Sequence, residues 1–121
     1  MDIVQELVHK KSHPQEKGLT DLEIDNYLSA LKGWSLQNNK IVKTFKFKNY
    51  YETIAFVNAL AFIVHAEDHH PELAVTYNQC VVKFDTHSVR AGQGGISEND
   101  FICAAKIDNL LGLTSFAEIQ N

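Results

Sequence analysis

The stretch from His65 to Asp100, HAEDHHPELAVTYNQCVVKFDTHSVRAGQGGISEND, decides how this chain is read. Within it, apolar residues alternate with polar ones in two runs: Leu73, Val75 and Tyr77, then Cys80, Val82 and Phe84, around Tyr77-Asn78-Gln79. Alternation at period two marks a half-buried strand, and two such runs joined through Asn predict a β-hairpin. With the turn centred on or just after Asn78, antiparallel pairing carries His87 across from His69 or His70. Three imidazoles are then expected to meet at one end of the hairpin. The stretch also holds four of the six histidines in the chain, so the expected hairpin end is where its titratable chemistry is concentrated.

An imidazole with an ordinary pKa of about 6.5 can both take and give a proton near neutrality, which makes acid-base chemistry the first hypothesis for such a cluster. A His-His pair on a surface loop is also compatible with plain solvation, although a third His returning to the same point is not what a random loop supplies. Zinc is the other competing reading. His65 and His69 have the i, i+4 spacing of a zinc-binding helix, but the HExxH pattern is absent, Pro71 ends any helix, and adjacent His69 and His70 diverge in most backbones. No metal is expected.

Working outward, the length of 121 residues bounds the chain to one domain, and a net charge of −4 argues against a nucleic-acid binder, which needs clustered Lys and Arg. Lys40, Lys43, Lys46 and Lys48 read as the solvated side of a strand. Cys80 and Cys103 lie far apart in apolar runs, as free buried thiols do in a reducing compartment. No apolar run is long enough to span a membrane and no signal-peptide order precedes the domain, so a cytoplasmic protein is expected.

Residues 1–18 form an N-terminal extension that can hold a short helix through Ile3, Val4, Leu7 and Val8, with His9 and His13 solvated. Residues 19–121 are the domain proper. A helix begins at a capping box of Thr20 and Glu23, buries Ile24, Tyr27, Leu28 and Leu31, and stops at Gly33. Strands follow at Trp34–Leu36 and Ile41–Phe47, with Phe45 and Phe47 inward. Asn49 and Glu52 cap a second helix that is apolar nearly all round, one stripe being Ile54, Val57, Ala61 and Val64 and another Phe56, Leu60 and Ile63. One stripe covers the sheet and the other calls for a partner, so a homodimer or homotetramer is expected. After the hairpin, Ser97 and Asp100 cap a last helix burying Phe101, Ala104, Ala105, Ile107 and Leu111 before Gly112. The order α-β-β-α-β-β-α predicts an α+β domain, a four-stranded antiparallel sheet with three helices on one face.

The run Asp68-His69-His70-Pro71-Glu72, then Tyr77-Asn78, Thr86-His87 and Gly94-Gly95-Ile96-Ser97 with Asp100, resembles the pterin-4a-carbinolamine dehydratase (4a-hydroxytetrahydrobiopterin dehydratase) family. The His65-x-x-x-His69 spacing agrees, and weaker similarity runs from Leu19 to Leu111 through Gly33-Trp34 and Phe45-Lys46-Phe47. The resemblance implies a substrate, a 4a-hydroxytetrahydropterin, and its dehydration to quinonoid dihydropterin in tetrahydrobiopterin recycling, without metal, nucleotide or flavin. It carries catalytic roles onto His69, His70 and His87, with His69 and His87 as the acid-base pair and His70 holding the pterin. Asp100 matches an acidic residue of the family's site; it also has a structural job in the helix cap. Asp68 and Glu72 are candidates to orient an imidazole, and His65 to sit favourably at a helix C-terminus. The resemblance also implies a link to an aromatic amino acid hydroxylase, and an alternative role as a dimerisation partner or coactivator of a transcription factor. There are three departures. The segment Ser88 to Gln93 is longer than the family's usual loop, position 65 is His where many members carry Glu, which changes the charge beside the pocket, and the cysteine-containing N-terminal segment of many bacterial members is missing.

Overall fold

The computed structural model describes residues 2–111. Four helices and four strands follow in the order α1 (Ile3–His9), α2 (Asp21–Ala30), β1 (Ser35–Gln37), β2 (Lys40–Lys46), α3 (Tyr50–Glu67), β3 (Glu72–Val75), β4 (Gln79–Phe84) and α4 (Glu98–Leu111). The strands make one antiparallel sheet ordered β1-β2-β4-β3. The expected α+β architecture is therefore present, with the short N-terminal helix as a fourth helix. Gly112, the expected stop of α4, lies outside the described residues.

Local chemistry sets most of the boundaries. Thr20 and Glu23 form a reciprocal capping box at α2, and Gly33 at φ +89° takes the left-handed turn that follows the helix. Asn38 and Asn39, at φ 50° and 63°, make the β1–β2 turn, a conformation that Asn tolerates better than most residues. Asn49 caps α3 by accepting from the Glu52 amide at 2.9 Å. Thr53, one turn into α3, donates to the Tyr77 carbonyl at 2.9 Å and ties this helix to the tip of the β3–β4 hairpin.

The helices cover the sheet face built from Ile41, Phe45, Cys80, Val82 and Phe84, all fully buried. Both cysteines are free and buried, and burial pushes the Cys80 thiol up to about 11 and the Cys103 thiol to about 12, which leaves them unreactive at neutral pH. The buried stripe of α3 is Thr53, Phe56, Leu60, Val64 and Glu67, which combines parts of the two expected stripes, while Ala61 and Phe62 are exposed. A 3.6-residue repeat gives an apolar helix no unique inward face, and packing against Phe45 and Phe47 selects this one. Lys43 also departs from the expected solvated row. It lies on the helix side, bonded to Asp108 at 2.9 Å and over the Phe45 ring, because its strand position shares a face with Ile41 and Phe45.

The hairpin register differs from the expected one. Glu72 pairs with Lys83, Leu73 with Val82 and Val75 with Cys80, so the tip is centred between Tyr77 and Asn78 and Tyr77 lies outside the strand, exposed. Continued past the strand ends, this register sets His69 opposite Thr86 and His70 opposite Asp85. A shift of one residue sends each side chain to the other face of the sheet.

Candidate active site

α3 ends where Asp68 adopts the left-handed conformation at φ 51°, its amide returning to the His65 and Val64 carbonyls. That turn directs the next residue, His69, toward the start of α4. There Nε2 of His69 lies 2.6 Å from Oδ1 of Asp100, and the imidazole stacks on Phe84 with ring centroids 5.7 Å apart. Asp100 is fully buried. Its other oxygen accepts from the Thr86 hydroxyl and from the Ser97 amide, each at 2.9 Å. The Thr86 hydrogen being spent on Asp100, the Ser97 hydroxyl donates to Thr86 at 2.7 Å and accepts from the Asn99 amide. Asp100 is thus both the cap of α4 and the anchor of His69.

The partner identifies the tautomer: a carboxylate accepts only, so Nε2 of His69 carries the hydrogen and Nδ1 presents its lone pair. His69 lines a cavity of about 230 Å³ with Asp68, Thr86, Ser88, Glu67 and residues of the N-terminal segment. The ring is held by a hydrogen bond on one side and an aromatic plane on the other, as a general base needs to be.

The other expected site residues are placed differently. His87 is 90% exposed in its side chain, 3.8 Å from Asp85, and lines a second cavity of about 240 Å³ with Arg90 and Asp85. The backbone of His87 nevertheless sits between Thr86 and Ser88, which both line the His69 cavity. His70 is exposed. The expected meeting of three imidazoles at one point is therefore not formed: alternation past Phe84 turns Thr86 inward and His87 outward, and the register sets His69 opposite Thr86. His65 is exposed on the last turn of α3. Glu72 is exposed and reaches Lys40 at 3.6 Å, and Asp68 serves as the helix terminus, so neither holds an imidazole; Asp100 does. Among the described residues, no three His, Cys, Asp or Glu side chains are grouped as a metal site.

Two residues have roles that the sequence did not indicate. Glu67, 8% exposed, receives the Lys106 ammonium at 2.6 Å and the Ser12 amide at 2.8 Å. Burial alone would raise its carboxyl, but the bonds from Lys106 and Ser12 outweigh burial and hold it below the usual carboxylate range. A depressed folded-state pKa stabilises the fold at pH values above the unfolded value and is lost as pH falls through the folded one. Acid titration of Glu67→Gln should therefore show a shallower loss of stability below about pH 4.5 than the parent chain. Parallel acid-unfolding curves for the two proteins would remove this role. His13, expected to be merely solvated, is the second: Asn99 holds its backbone at both the amide, 3.1 Å, and the carbonyl, 2.6 Å, beside the His69 cavity.

Comparison with known proteins places these residues in context. The family described as pterin 4 alpha carbinolamine dehydratase matches residues 17–110. A protein of Bdellovibrio bacteriovorus that carries the name pterin-4-alpha-carbinolamine dehydratase is 71% identical over 88% of this chain and 89% of its own. A protein of Nitrosomonas eutropha with the same name is 51% identical over 92% of this chain and 98% of its own. The crystal structure of a transcriptional coactivator/pterin dehydratase from Brucella melitensis superposes with a TM-score of 0.71 at 32% identity, covering 78% of this chain and 98% of that one.

Proposed function

Because the chain belongs to the pterin 4 alpha carbinolamine dehydratase family, we propose that it is a hydro-lyase that removes water from a 4a-hydroxytetrahydropterin to give the quinonoid dihydropterin. The observation that carries this reading is the His69–Asp100 pair at 2.6 Å beside a cavity of about 230 Å³. Dehydration breaks the C4a–O bond and forms a double bond between C4a and the adjoining ring nitrogen. The leaving oxygen must gain a proton and the nitrogen must lose one. His69, with Nδ1 free to accept and Asp100 stabilising the imidazolium that results, is the base. His87 is the acid. Its side chain is 90% exposed beside Asp85, its backbone stands between two residues of the His69 cavity, and exposed rotamers interchange within nanoseconds. His70, beside the base and exposed, holds the pterin. The proton taken from nitrogen balances the one given to oxygen, so no redox cofactor or metal enters the step.

Dehydration of a synthetic 4a-hydroxytetrahydropterin, followed by absorbance, tests this directly. The protein should accelerate it over buffer, with a broad optimum near neutral pH and no change after exhaustive chelation. A rate equal to that of buffer sinks the reading, and activity lost on chelation and regained with zinc replaces acid-base chemistry with metal chemistry. Recycling of pterin for an aromatic hydroxylase is the corresponding cellular role. Self-association through the exposed surface of α3 around Phe62, 78% exposed, is the simplest cover for that surface. The coactivator name of the Brucella relative supplies the second reading, a binding module. An interaction surface has no use for an imidazole oriented by a buried carboxylate, and this pair favours the enzyme.

A further inference from the structure

Residues 11–16 precede the segment matched by the family, residues 17–110, yet they run along the His69 cavity as an extended strap. The strap is fastened at almost every residue. Lys11 donates to the Ala66 carbonyl at 3.1 Å, and Ser12 binds Glu67 through its amide and its hydroxyl. His13 is clamped by Asn99, the Gln15 carbonyl accepts from Ser88 at 2.8 Å, and the Glu16 carbonyl accepts from the Arg90 amide at 3.2 Å. Three of these fastenings lie close to a residue of the candidate site. Glu67 is two residues before His69, Asn99 adjoins Asp100, and Ser88 adjoins His87.

Ordering an irregular segment costs about 1–2 kcal/mol per residue in backbone entropy, and an arm needed only to tether α1 could be fastened anywhere on the surface. This one is fastened where it walls the cavity. The longer loop between His87 and Gly94 supplies the far anchor. Val89 is sunk in the interior and Thr86 pairs with Gly95, which holds Arg90 and Ala91 at φ 56° and 57° so that the Arg90 amide meets Glu16. Strap and loop thus form one construction.

We propose that the strap is part of the substrate site, with His13 and Gln15 binding the pyrimidinone edge of the pterin ring; the inference rests on the dehydratase reading above. Both side chains line the cavity. Their present partners are weak: the Gln15 amide reaches His13 Nε2 at 3.2 Å and Asn99 Oδ1 at 3.4 Å, contacts that a ligand can displace. A primary amide matches the adjacent donors and acceptors of a pyrimidinone, and imidazole supplies one more of either kind. Their role is in binding, and the proton transfers stay with the histidines of the domain.

The test compares the parent chain with His13→Ala/Gln15→Ala and with Asn99→Ala, measuring kcat, KM, inhibition by 7,8-dihydropterin, and the thermal midpoint. The double variant should raise KM and the inhibition constant about five- to tenfold, with kcat within about twofold and an unchanged midpoint. Asn99→Ala, which frees the strap, should raise KM in the same direction and expose residues 11–16 to hydrogen exchange. An active parent whose double variant keeps its KM and inhibition constant within twofold overturns the role of the strap and leaves the dehydratase reading standing. A parent chain that neither dehydrates the substrate nor binds 7,8-dihydropterin overturns both.

Discussion

His69→Gln should lower kcat by about a hundredfold or more while the protein stays folded. Glutamine reaches about as far as the imidazole and can donate its amide hydrogen to Asp100, so the buried carboxylate keeps a partner and the helix cap is preserved. The substitution removes the group that accepts a proton in the pH range where the reaction runs. General acid-base catalysis contributes about a hundred- to ten-thousandfold, and losing the base should forfeit that factor. The loss should appear in kcat and in kcat/KM together, since proton transfer is used only in the transition state. Steady-state rates on the 4a-hydroxytetrahydropterin, with circular dichroism as the control on folding, decide the matter. Full activity in a folded His69→Gln protein would place the base elsewhere, with His65, His70 and His87 as the remaining imidazoles of the segment.

The largest loss of stability is expected from Asp100→Ala, about 3–5 kcal/mol by urea unfolding. One carboxylate accepts from His69, Thr86 and the Ser97 amide, and all three donors lie where water is largely excluded. Removing the acceptor leaves each of them to find another partner, and an unpaired buried donor costs about 1–3 kcal/mol. Relief of the desolvation of the carboxylate offsets part of this, which is why the individual costs do not simply add. Asp100→Asn separates the two jobs of the residue. An amide oxygen still accepts at the cap, but it no longer stabilises the imidazolium formed in the reaction, so stability should fall less while kcat drops. A stability loss below about 1 kcal/mol for the alanine variant would show that these bonds are readily replaced by solvent.

What the sequence determined by itself was everything governed by neighbours within a turn or two. The Thr20–Glu23 box, the Asn49 cap and the alternation through Cys80, Val82 and Phe84 are signals read over a few residues, and they placed α2, α3, the hairpin and the buried thiols. The motif around His69, His70 and Asp100 carried the family resemblance for the same reason, since its residues stand at fixed spacings along the chain. Tertiary structure alone decided which imidazole is oriented. A pairing register shorter by one residue sets Thr86 instead of His87 opposite His69, at the Asp100 network, and no local pattern around Tyr77 and Asn78 distinguishes the two registers. The inward stripe of α3 was equally undetermined, because a helix apolar on every side is oriented only by what packs against it. The strap was the least visible of all. Ser12 meets Glu67, His13 meets Asn99 and Gln15 meets Ser88 across fifty or more residues of chain, through one or two hydrogen bonds each that leave no periodic trace in the sequence.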